Sequence, residues 1–519
     1  MIKNPVLTGF HADPSLLYVD GTFYIANSTF EYYPGVKISA SKDLANWETV
    51  CYPLDRKNLL WMEGNPCSGG IWAPCLTYDK GWFYLVYTDA KSWDSGQYKD
   101  TPNYITKAKD ITGPWSDPVF VNCSGIDPSL YHEDDGRKFF VSMEWDYRKP
   151  VGPAQFTGIL LTELDPETLA PIAEPVKIFK GTERGWVEGP HIYKVNGWYY
   201  LFTAEGGTIY DHAETVARSR NIEGPYELHP NTHLVSAMGV PSAPLQKTGH
   251  GSMARASDGR WWFACLCGRP LPGTQFCPLG RETSVNEIVW ENDWPYIKNK
   301  TLIMDECFEG YGRQRQPEAV KYDFKGKRFQ LDFQALRSPA KYEVNGDDSL
   351  RLYGGMSPVC NFGQNMLVRR QTDYNFTAKT SVRITAKSFQ KMAGLMYRYD
   401  ERNHYFLRVA FDEEKGGFCL GLLVNDKGEL TIPADGIPAG DGIVHMKLTV
   451  RGSEAVFSYS LDGETFTEID YVCDVSKLSD EYDTLGFTGA FVGMSAVDVN
   501  NYTAYADFYG FEYTPEGCA

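Results

Sequence analysis

The hydrophobic pattern of the first 300 residues is a repeat of short aromatic-rich stretches, each following a glycine. Such apolar runs, bounded by turn residues, are typical of buried strands. Successive glycines stand 60, 55, 61 and 62 residues apart. A strand-rich unit of about 60 residues fits one blade of a β-propeller, and five units close a ring with short, protected edges. The five glycines are Gly21, Gly81, Gly136, Gly197 and Gly259.

A second repeat lies upstream of these glycines, where a short strand begins eight or nine residues before each one. The innermost strand of every propeller blade runs along the central channel, so equivalent positions on five blades converge around one axis. Those positions hold Asp13, Ala73, Asp127, Glu188 and His250. The sequence therefore predicts that three carboxylates and a histidine meet at one end of the channel.

The last 200 residues show a different pattern, in which apolar and polar residues alternate between Gly and Asp-Gly turns. This period-two pattern predicts an antiparallel β-sandwich. We expect an all-β chain with a five-bladed propeller at 1–300, a connector at 301–323 and a sandwich at 324–519. The predicted sandwich strands include 328–333, 349–353, 377–384, 393–399 and 445–450.

Charge and composition narrow the ligands and the location of the protein. The chain has 67 acidic and 50 basic residues, a net charge of −17 that argues against nucleic acid and anionic membranes as partners. An aromatic content of 14% suits neutral, hydroxylated ligands such as sugars. No stretch resembles a signal peptide or a membrane span, and the twelve cysteines show no regular spacing. We therefore predict a cytoplasmic protein with reduced thiols.

Three converging carboxylates restrict the chemistry of the site. Burying like charges together is costly unless one group is protonated or a cation is present. Such a cluster can bind a metal through oxygen atoms. It can also hydrolyse a glycoside, with one carboxylic acid protonating the leaving oxygen and another carboxylate activating water or attacking carbon. A third carboxylate then keeps the acid protonated by repulsion.

The motifs around these positions resemble those of glycoside hydrolase family 43, the β-xylosidase and α-L-arabinofuranosidase family. The region after the propeller resembles the concanavalin-like jelly roll of the xylosidase branch, so the resemblance covers nearly the whole chain. The matching stretches are Asn4 to Pro14, Asn27 to Gly35, Gly70-Ile-Trp-Ala-Pro74, Ile126-Asp-Pro-Ser-Leu130, Val187-Glu-Gly-Pro-His191 and Leu279-Gly-Arg-Glu-Thr283.

The resemblance implies an inverting mechanism and a role for each carboxylate. Asp13 would be the general base that activates water, and Glu188 the general acid. Asp127 would raise the pKa of Glu188 and orient it. Inversion places the acid and base carboxyls about 6.5–9.5 Å apart, which leaves room for the water.

The resemblance also implies a set of sugar-binding residues. Phe30, Trp72 and Trp145 would pack against a sugar ring, although packing inside the blades explains each aromatic residue equally well. Arg281 would bind sugar hydroxyls beside the carboxylates. Phe491 would help to close the pocket into a blind hole, and its alternative interpretation is a core residue of the final strands.

His250 matches a channel histidine that often lies near a bound cation in this family. The resemblance therefore implies Ca²⁺ or another cation in the channel, with no cofactor required for the reaction. The alternative is a purely structural histidine. The family also implies a homo-oligomer, either a dimer or a tetramer.

The leading prediction is an inverting exo-acting β-xylosidase that releases xylose from the non-reducing ends of β-1,4-xylooligosaccharides. An α-L-arabinofuranosidase, or a bifunctional enzyme acting on arabinoxylan fragments, is the alternative because the same carboxylates serve both reactions. A non-catalytic carbohydrate-binding propeller is a third possibility, but it would not need three carboxylates at matched positions. Retaining five-bladed fructosidases have Arg before the middle Asp, where this chain has Ile126.

Overall fold

The glycines of the repeat form the turns between two strands in each of five sheets, four with four strands and one with five. All five have positive φ angles between 75° and 98°, which residues with a Cβ rarely adopt. Asp20-Gly21, Lys80-Gly81 and Asn196-Gly197 have positive φ at both positions, as two-residue type I′ hairpins require. The repeat seen in the sequence is therefore the hairpin that begins each blade.

The computed structural model describes residues 1–94, 96–483 and 486–516 and contains two compact units. The propeller unit comprises Met1–Glu31, Gly35–Arg269 and Arg281–Arg315. The sandwich unit comprises Tyr32–Pro34, Pro270–Gly280 and Gln316–Ala519. Two short segments from the region before residue 300 thus belong to the sandwich unit, and no single boundary along the chain separates the two units.

Nearly all regular structure up to residue 308 is β-strand. The strands are β1 (Ile2–Lys3), β2 (Ser15–Val19), β3 (Thr22–Asn27), β4 (Tyr32–Tyr33), β5 (Lys37–Ser41), β6 (Glu48–Cys51), β7 (Gly70–Ile71), β8 (Cys75–Asp79), β9 (Trp82–Ala90), β10 (Asn103–Ala108), β11 (Val119–Asn122), β12 (Ser129–His132), β13 (Lys138–Trp145), β14 (Phe156–Leu164), β15 (Val176–Phe179), β16 (Glu188–Val195), β17 (Trp198–Glu205), β18 (Ala213–Ser219), β19 (Glu227–Ser236), β20 (Gln246–Arg255), β21 (Trp261–Gly268), β22 (Glu282–Glu291), β23 (Trp294–Ile297) and β24 (Cys307–Phe308). A short 3₁₀ helix spans Pro153–Gln155.

These strands build the five predicted blades. Blade one has the strand order β2-β3-β5-β6, and blades three, four and five run consecutively from β12, β16 and β20. In blade two, β8 and β7 both pair with β9, followed by β10 and β11. The first strands contact one another in sequence, and β2 also contacts β20, so they form a closed ring around the channel. The predicted five-bladed propeller is confirmed.

The ring is closed by the N-terminal segment, which runs beside blade five. β1 pairs with β24, and the Asn4 side chain donates to the carbonyl of Val285 at 2.8 Å. Farther along, the His11 amide donates to the carbonyl of Arg281 at 2.8 Å. The two ends of the propeller sequence are thereby held together.

The sandwich unit holds the remaining strands and one α-helix. They are β25 (Val320–Tyr322), α1 (Lys327–Asp332), β26 (Phe333–Leu336), β27 (Tyr342–Val344), β28 (Leu350–Tyr353), β29 (Met366–Arg370), β30 (Asn375–Ile384), β31 (Lys391–Arg398), β32 (His404–Asp412), β33 (Gly417–Asp426), β34 (Glu429–Pro438), β35 (Val444–Arg451), β36 (Glu454–Ser460), β37 (Thr467–Asp474), β38 (Phe491–Asp498) and β39 (Tyr505–Pro515). A 3₁₀ helix spans Val475–Lys477.

Two antiparallel eight-stranded sheets form this unit, which confirms the predicted sandwich. One sheet has the order β27-β28-β39-β30-β35-β36-β37, with β25 paired to β39. The other has the order β34-β33-β32-β31-β38-β29-β26-β4. Burial alternates along β30 because one face of the strand lies on the core. The core includes Val382, Leu395, Leu448 and Phe508, which are buried from solvent.

The expectation of a strand at 328–333 is wrong, since Lys327–Asp332 forms α1. Phe329 and Phe333 follow an alternating pattern, but they are also four residues apart, a spacing that places two side chains on one helical face. Their rings lie 4.8 Å apart in the sandwich core. The short pattern fits both the two-residue period of a strand and the period of a helix, and packing in the core favours the helix.

A buried serine provides a test of ring closure. The Ser252 hydroxyl accepts a hydrogen bond from the Leu16 amide and donates one to the Pro14 carbonyl, both at 2.7 Å. Ser252→Ala leaves a buried amide without its partner, so we expect the propeller to lose about 1–3 kcal/mol of stability. Calorimetry should show a lower transition temperature, and Ser242→Ala, which changes an exposed serine between β19 and β20, serves as control. Equal melting of both variants would contradict a role in closure.

Candidate active site

The predicted channel residues share an unusual backbone conformation at the start of their strands. Asp13, Asp127 and His250 have φ angles of 52°, 54° and 49°, in the left-handed region. In blade four the left-handed residue is Gly189, next to Glu188, with φ of 58°. A Cβ at position 189 would lie 2.8 Å from the His250 ring, so only glycine fits there. Strained backbone of this kind concentrates at functional sites.

Asp13 is held by two side chains from different parts of the propeller. Its Oδ1 accepts a hydrogen bond from Arg281 Nη1 at 2.9 Å, and its Oδ2 accepts one from Ser28 Oγ at 2.8 Å. Asp13 and Arg281 are 4% and 2% exposed, so this ion pair is almost fully removed from solvent. The guanidinium therefore compensates a buried carboxylate charge directly.

His250 lies between two of the carboxylates. Its Nδ1 is 3.6 Å from Asp13 Oδ1 and 4.0 Å from Asp127 Oδ2. Burial lowers the pKa of His250, so the imidazole is neutral at pH 7. The buried Glu214 carboxyl accepts a hydrogen bond from the Gly251 amide at 2.8 Å and another from the His250 amide. Glu214 thus supports the left-handed backbone that aims the histidine.

Glu188 and Asp127 are the two carboxyls whose surroundings favour the protonated form. Burial and the charge of Asp13 raise the pKa of Glu188 to about 8, against the opposing charges of Arg281 and Lys99. Burial, Glu188 and Asp13 also raise the pKa of Asp127. The three carboxyls interact within one buried site that contains a single guanidinium, so their cluster keeps a proton at neutral pH.

Lys99 belongs to this site although it escaped the sequence analysis. The charge of Glu188 acts on its ammonium, and burial lowers the pKa of Lys99 to about 8. Its Nζ donates to the Trp93 carbonyl at 3.0 Å and lies 4.5 Å from the ring centre of Trp145. Trp145 itself donates from its indole to the Gln97 carbonyl.

The remaining predicted aromatic residues of the propeller lie beside Arg281. The guanidinium carbon is 5.4 Å from the ring centre of Phe30, and the Phe30 and Trp72 rings are 6.4 Å apart. Trp72 donates from its indole to the Ser68 carbonyl at 2.9 Å. Hydrogen bonds and neighbouring rings hold each aromatic side chain in place, as a sugar-binding platform requires.

Phe491 begins β38 in the sandwich unit and has no exposed surface. Its ring stacks on Tyr32, with ring centres 3.8 Å apart, and the Arg370 guanidinium lies 5.5 Å from its centre. These contacts agree with the alternative interpretation as a core residue. Its contribution to a sugar pocket stays a prediction.

Three supporting residues were missed because nothing in the repeat marks them. Lys99 comes from the loop between β9 and β10, and Glu214 from β18, whereas the repeat marks only the first strand of each blade. Ser28 stands inside the motif stretch 27–35, so that match was the one signal available.

The site does not fit a dedicated cation centre formed by protein ligands alone. In the described ranges, no three Asp, Glu, His or Cys ligand atoms of this site lie within 4.8 Å of one another. Arg281 already supplies a positive charge to Asp13. A cation at His250 therefore stays a prediction, and we route no step of the reaction through it.

Three interacting carboxyls in the channel of a five-bladed propeller, one of them beside a guanidinium, form the kind of site that hydrolyses glycosides. Comparison with known proteins supports this class. The model of glycosyl hydrolases family 43 matches residues 2–295, and that of the beta xylosidase C-terminal concanavalin A-like domain matches 321–514. The chain belongs to glycosyl hydrolases family 43, which confirms the resemblance seen in its motifs.

Similar proteins extend over essentially the whole chain. Xylosidase/arabinosidase 43B of Humicola insolens is 45% identical, covering 99% of this chain and 98% of its own. A beta-xylosidase of Bacillus subtilis (strain 168) is 40% identical, covering 99% of both. The crystal structure of a xylan beta-1,4-xylosidase from Bacillus halodurans C-125 has a TM-score of 0.94 at 40% identity, covering 99% of this chain and 100% of its own.

The charge of Lys99 gives a test through the pH dependence of activity. A general acid must be protonated, so activity falls as pH rises through its pKa. The Lys99 ammonium lowers the pKa of Glu188, so Lys99→Met removes an opposing charge. We expect the alkaline limb of the kcat/KM profile to move to higher pH. The exposed Lys109→Met is the control, and a limb that stays or moves downward would remove Lys99 from the site.

Proposed function

We propose that the protein is an inverting exo-glycosidase that releases xylose from the non-reducing ends of β-1,4-xylooligosaccharides. The observation that carries the proposal is that one buried site holds a carboxyl paired with an arginine and a second carboxyl whose pKa is raised. Asp13 is ion-paired to Arg281, whereas burial raises the pKa of Glu188 to about 8. A base and an acid in one buried site are what glycoside hydrolysis with inversion requires.

Asp13 serves as the general base. A water molecule attacks the anomeric carbon and transfers a proton to the Asp13 carboxylate as the carbon–oxygen bond forms. The bonds from Arg281 and Ser28 keep the carboxylate oriented, so it does not need to reorganise during the reaction. The paired guanidinium also prevents the carboxylate from being a free buried charge before the reaction.

Glu188 serves as the general acid on the opposite side of the scissile bond. It transfers its proton to the glycosidic oxygen as that bond breaks, so the leaving sugar departs as a neutral alcohol. Asp127 interacts with Glu188 inside the same buried site, and we assign it the role of orienting the acid and tuning its proton affinity. The backbone amide of Gly189, directly after the acid, bonds Asp127 and couples the positions of the two carboxyls.

The sugar lies against the aromatic residues of the propeller. Phe30 and Trp72 provide ring surfaces next to Arg281, whose guanidinium binds sugar hydroxyls beside Asp13. Trp145, with Lys99 over its ring, contacts the leaving sugar in this proposal.

α-L-Arabinofuranosidase activity is the second candidate. The relative from Humicola insolens carries both activities in its name, xylosidase/arabinosidase. The acid and base pair acts on the glycosidic bond rather than on the sugar ring, so the same carboxyls serve both substrates. Preference for xylose or arabinose depends on how the hydroxyls meet Arg281 and the aromatic surfaces.

Other predictions complete the proposal. We expect a cytoplasmic enzyme that assembles as a dimer or tetramer, with His250 near a cation when one is bound. Across the described ranges, no helix has the length and apolar character needed to cross a membrane.

Product analysis tests both the substrate and the stereochemistry. Xylobiose and an arabinofuranosyl-substituted xylooligosaccharide should be hydrolysed side by side, with the first-formed anomer read by proton NMR. Inversion of a β-linkage releases α-xylose before mutarotation. We expect α-xylose from xylobiose at a higher kcat/KM than arabinose release. First-formed β-xylose would contradict inversion, and faster arabinose release would favour the second candidate.

The role of Glu188 predicts a dependence on the leaving group. Glu188→Gln should abolish hydrolysis of xylobiose but spare aryl xylosides whose leaving group needs little protonation. Asp13→Ala should instead reduce activity on both substrates by several orders of magnitude. The exposed Glu183→Gln, on the same segment, serves as control. Equal losses on the two substrates in Glu188→Gln would remove Glu188 from the acid role.

A further inference from the structure

The five channel positions predicted from the repeat form a first ring, which we call the catalytic ring. A second ring of residues lies farther along the same inner strands. Side chains two residues apart on a strand lie on the same face, so Ser15, Cys75, Ser129 and Ser252 follow the first-ring positions into the channel. His191 comes three residues after Glu188 because the pairing of β16 with β17 shifts register between them. The first ring carries the carboxylates, and this second ring carries a thiol and an imidazole.

Most of the second ring serves to join the blades. The Ser252 hydroxyl accepts a hydrogen bond from the Leu16 amide at 2.7 Å, and the Ser15 hydroxyl accepts one from the Leu76 amide at 2.9 Å. Cys75 accepts the Leu130 amide in the same manner. The pattern breaks at Ser129, whose hydroxyl has no hydrogen-bond partner among the described residues although the residue is only 2% exposed. A buried hydroxyl without a partner indicates a missing ligand or water.

Ser129 lines a channel cavity of about 270 Å³, together with Cys75 and His191. Farther along the cavity lie the half-buried Tyr18 and the exposed Arg255, so its far end reaches solvent. His191 remains half-buried because its ring borders this space. The cavity therefore has both room for a small solute with its waters and a route of entry.

The geometry of the thiol and the imidazole matches two ligands of one ion. Cys75 Sγ and His191 Nδ1 lie 3.9 Å apart. Two ligands of a tetrahedral zinc ion, at bond lengths of about 2.3 Å for sulfur and 2.0–2.1 Å for nitrogen, are separated by about 3.5 Å. Burial lowers the pKa of His191 to about 3, so the imidazole is neutral and its lone pair is available.

We propose that the channel binds one Zn²⁺ ion through Cys75 Sγ and His191 Nδ1, with the Ser129 hydroxyl and water in the remaining positions. Sulfur and imidazole ligands select zinc over the hard cations that carboxylates prefer. Binding replaces the thiol proton, which leaves to solvent, and the imidazole carries its own proton on Nε2. Burial raises the pKa of the Cys75 thiol to about 11, so the free site is uncharged before the ion arrives.

Zinc in this position inhibits hydrolysis through the catalytic ring. Ser129 begins β12 two residues after Asp127, and His191 follows Glu188 by three residues on β16. A dication beneath the carboxyls stabilises their ionised forms, so Glu188 loses the proton that it must donate. This inference goes beyond the proposed substrate, because metal binding can be measured without any turnover.

The test uses the full-length, tag-free protein after treatment with a chelator and dialysis, with Co²⁺ as a spectroscopic probe for Zn²⁺. We expect one equivalent of Co²⁺ to produce a thiolate charge-transfer band, which added Zn²⁺ removes. Cys75→Ser and His191→Asn should lose the band, whereas Cys265→Ser, which removes a buried thiol outside the cavity, should retain it. Circular dichroism and thermal melting verify that each variant is folded, and Cys75→Ala replaces Cys75→Ser if needed.

Inhibition provides the second readout, with each variant compared with its own metal-free rate on an aryl xyloside. The Zn²⁺ concentration for half-inhibition should rise about tenfold or more in Cys75→Ser and stay unchanged in Cys265→Ser. A Co²⁺ band that survives in Cys75→Ser, or native protein that binds no stoichiometric Co²⁺ or Zn²⁺, would overturn the site. Stoichiometric binding without inhibition would overturn the coupling to the catalytic ring. Lack of turnover on any glycoside would instead count against the proposed function.

Discussion

Closure of the propeller ring is the constraint on which the catalytic site depends. Asp13 and Arg281 are 268 residues apart in sequence, yet they form a buried ion pair because the N-terminal segment runs beside blade five. The backbone bond from His11 to Arg281 lies two residues from Asp13. Opening the ring would leave both the carboxylate and the guanidinium as uncompensated buried charges, so fold and site stabilise each other.

The electrostatic balance of the site follows from that closure. One guanidinium is shared among three buried carboxyls, and it is bonded to Asp13. Glu188 receives weaker compensation, from the more distant charges of Arg281 and Lys99, so its proton affinity rises. His250 is neutral, so it adds no charge to the site. In the proposed mechanism, the division between base and acid thus follows from burial and from the position of Arg281, rather than from any difference between aspartate and glutamate.

The same strand geometry also explains the layer beneath the carboxylates. Each inner strand presents alternate residues to the channel, so a catalytic residue is followed by a second residue facing the same way. In most blades that second residue bonds an amide of the next blade, as Ser15 and Ser252 do. Ser129 departs from this pattern, because its hydroxyl has no partner among the described residues. Cys75 and His191 line the same cavity as this hydroxyl.

The sequence by itself determined the repeat, the hairpin turns and the positions that converge on the channel. These features are local, since a type I′ turn needs glycine and a five-fold repeat needs equal spacing. Only the tertiary structure decided which side chains complete the site. Lys99 reaches it from an irregular loop, Glu214 supports it from a different strand, and the helix at 327–332 forms because core packing overrides an ambiguous pattern. The segments 32–34 and 270–280 join the sandwich unit for the same reason: their partners are distant in sequence, and no local periodicity encodes such pairings.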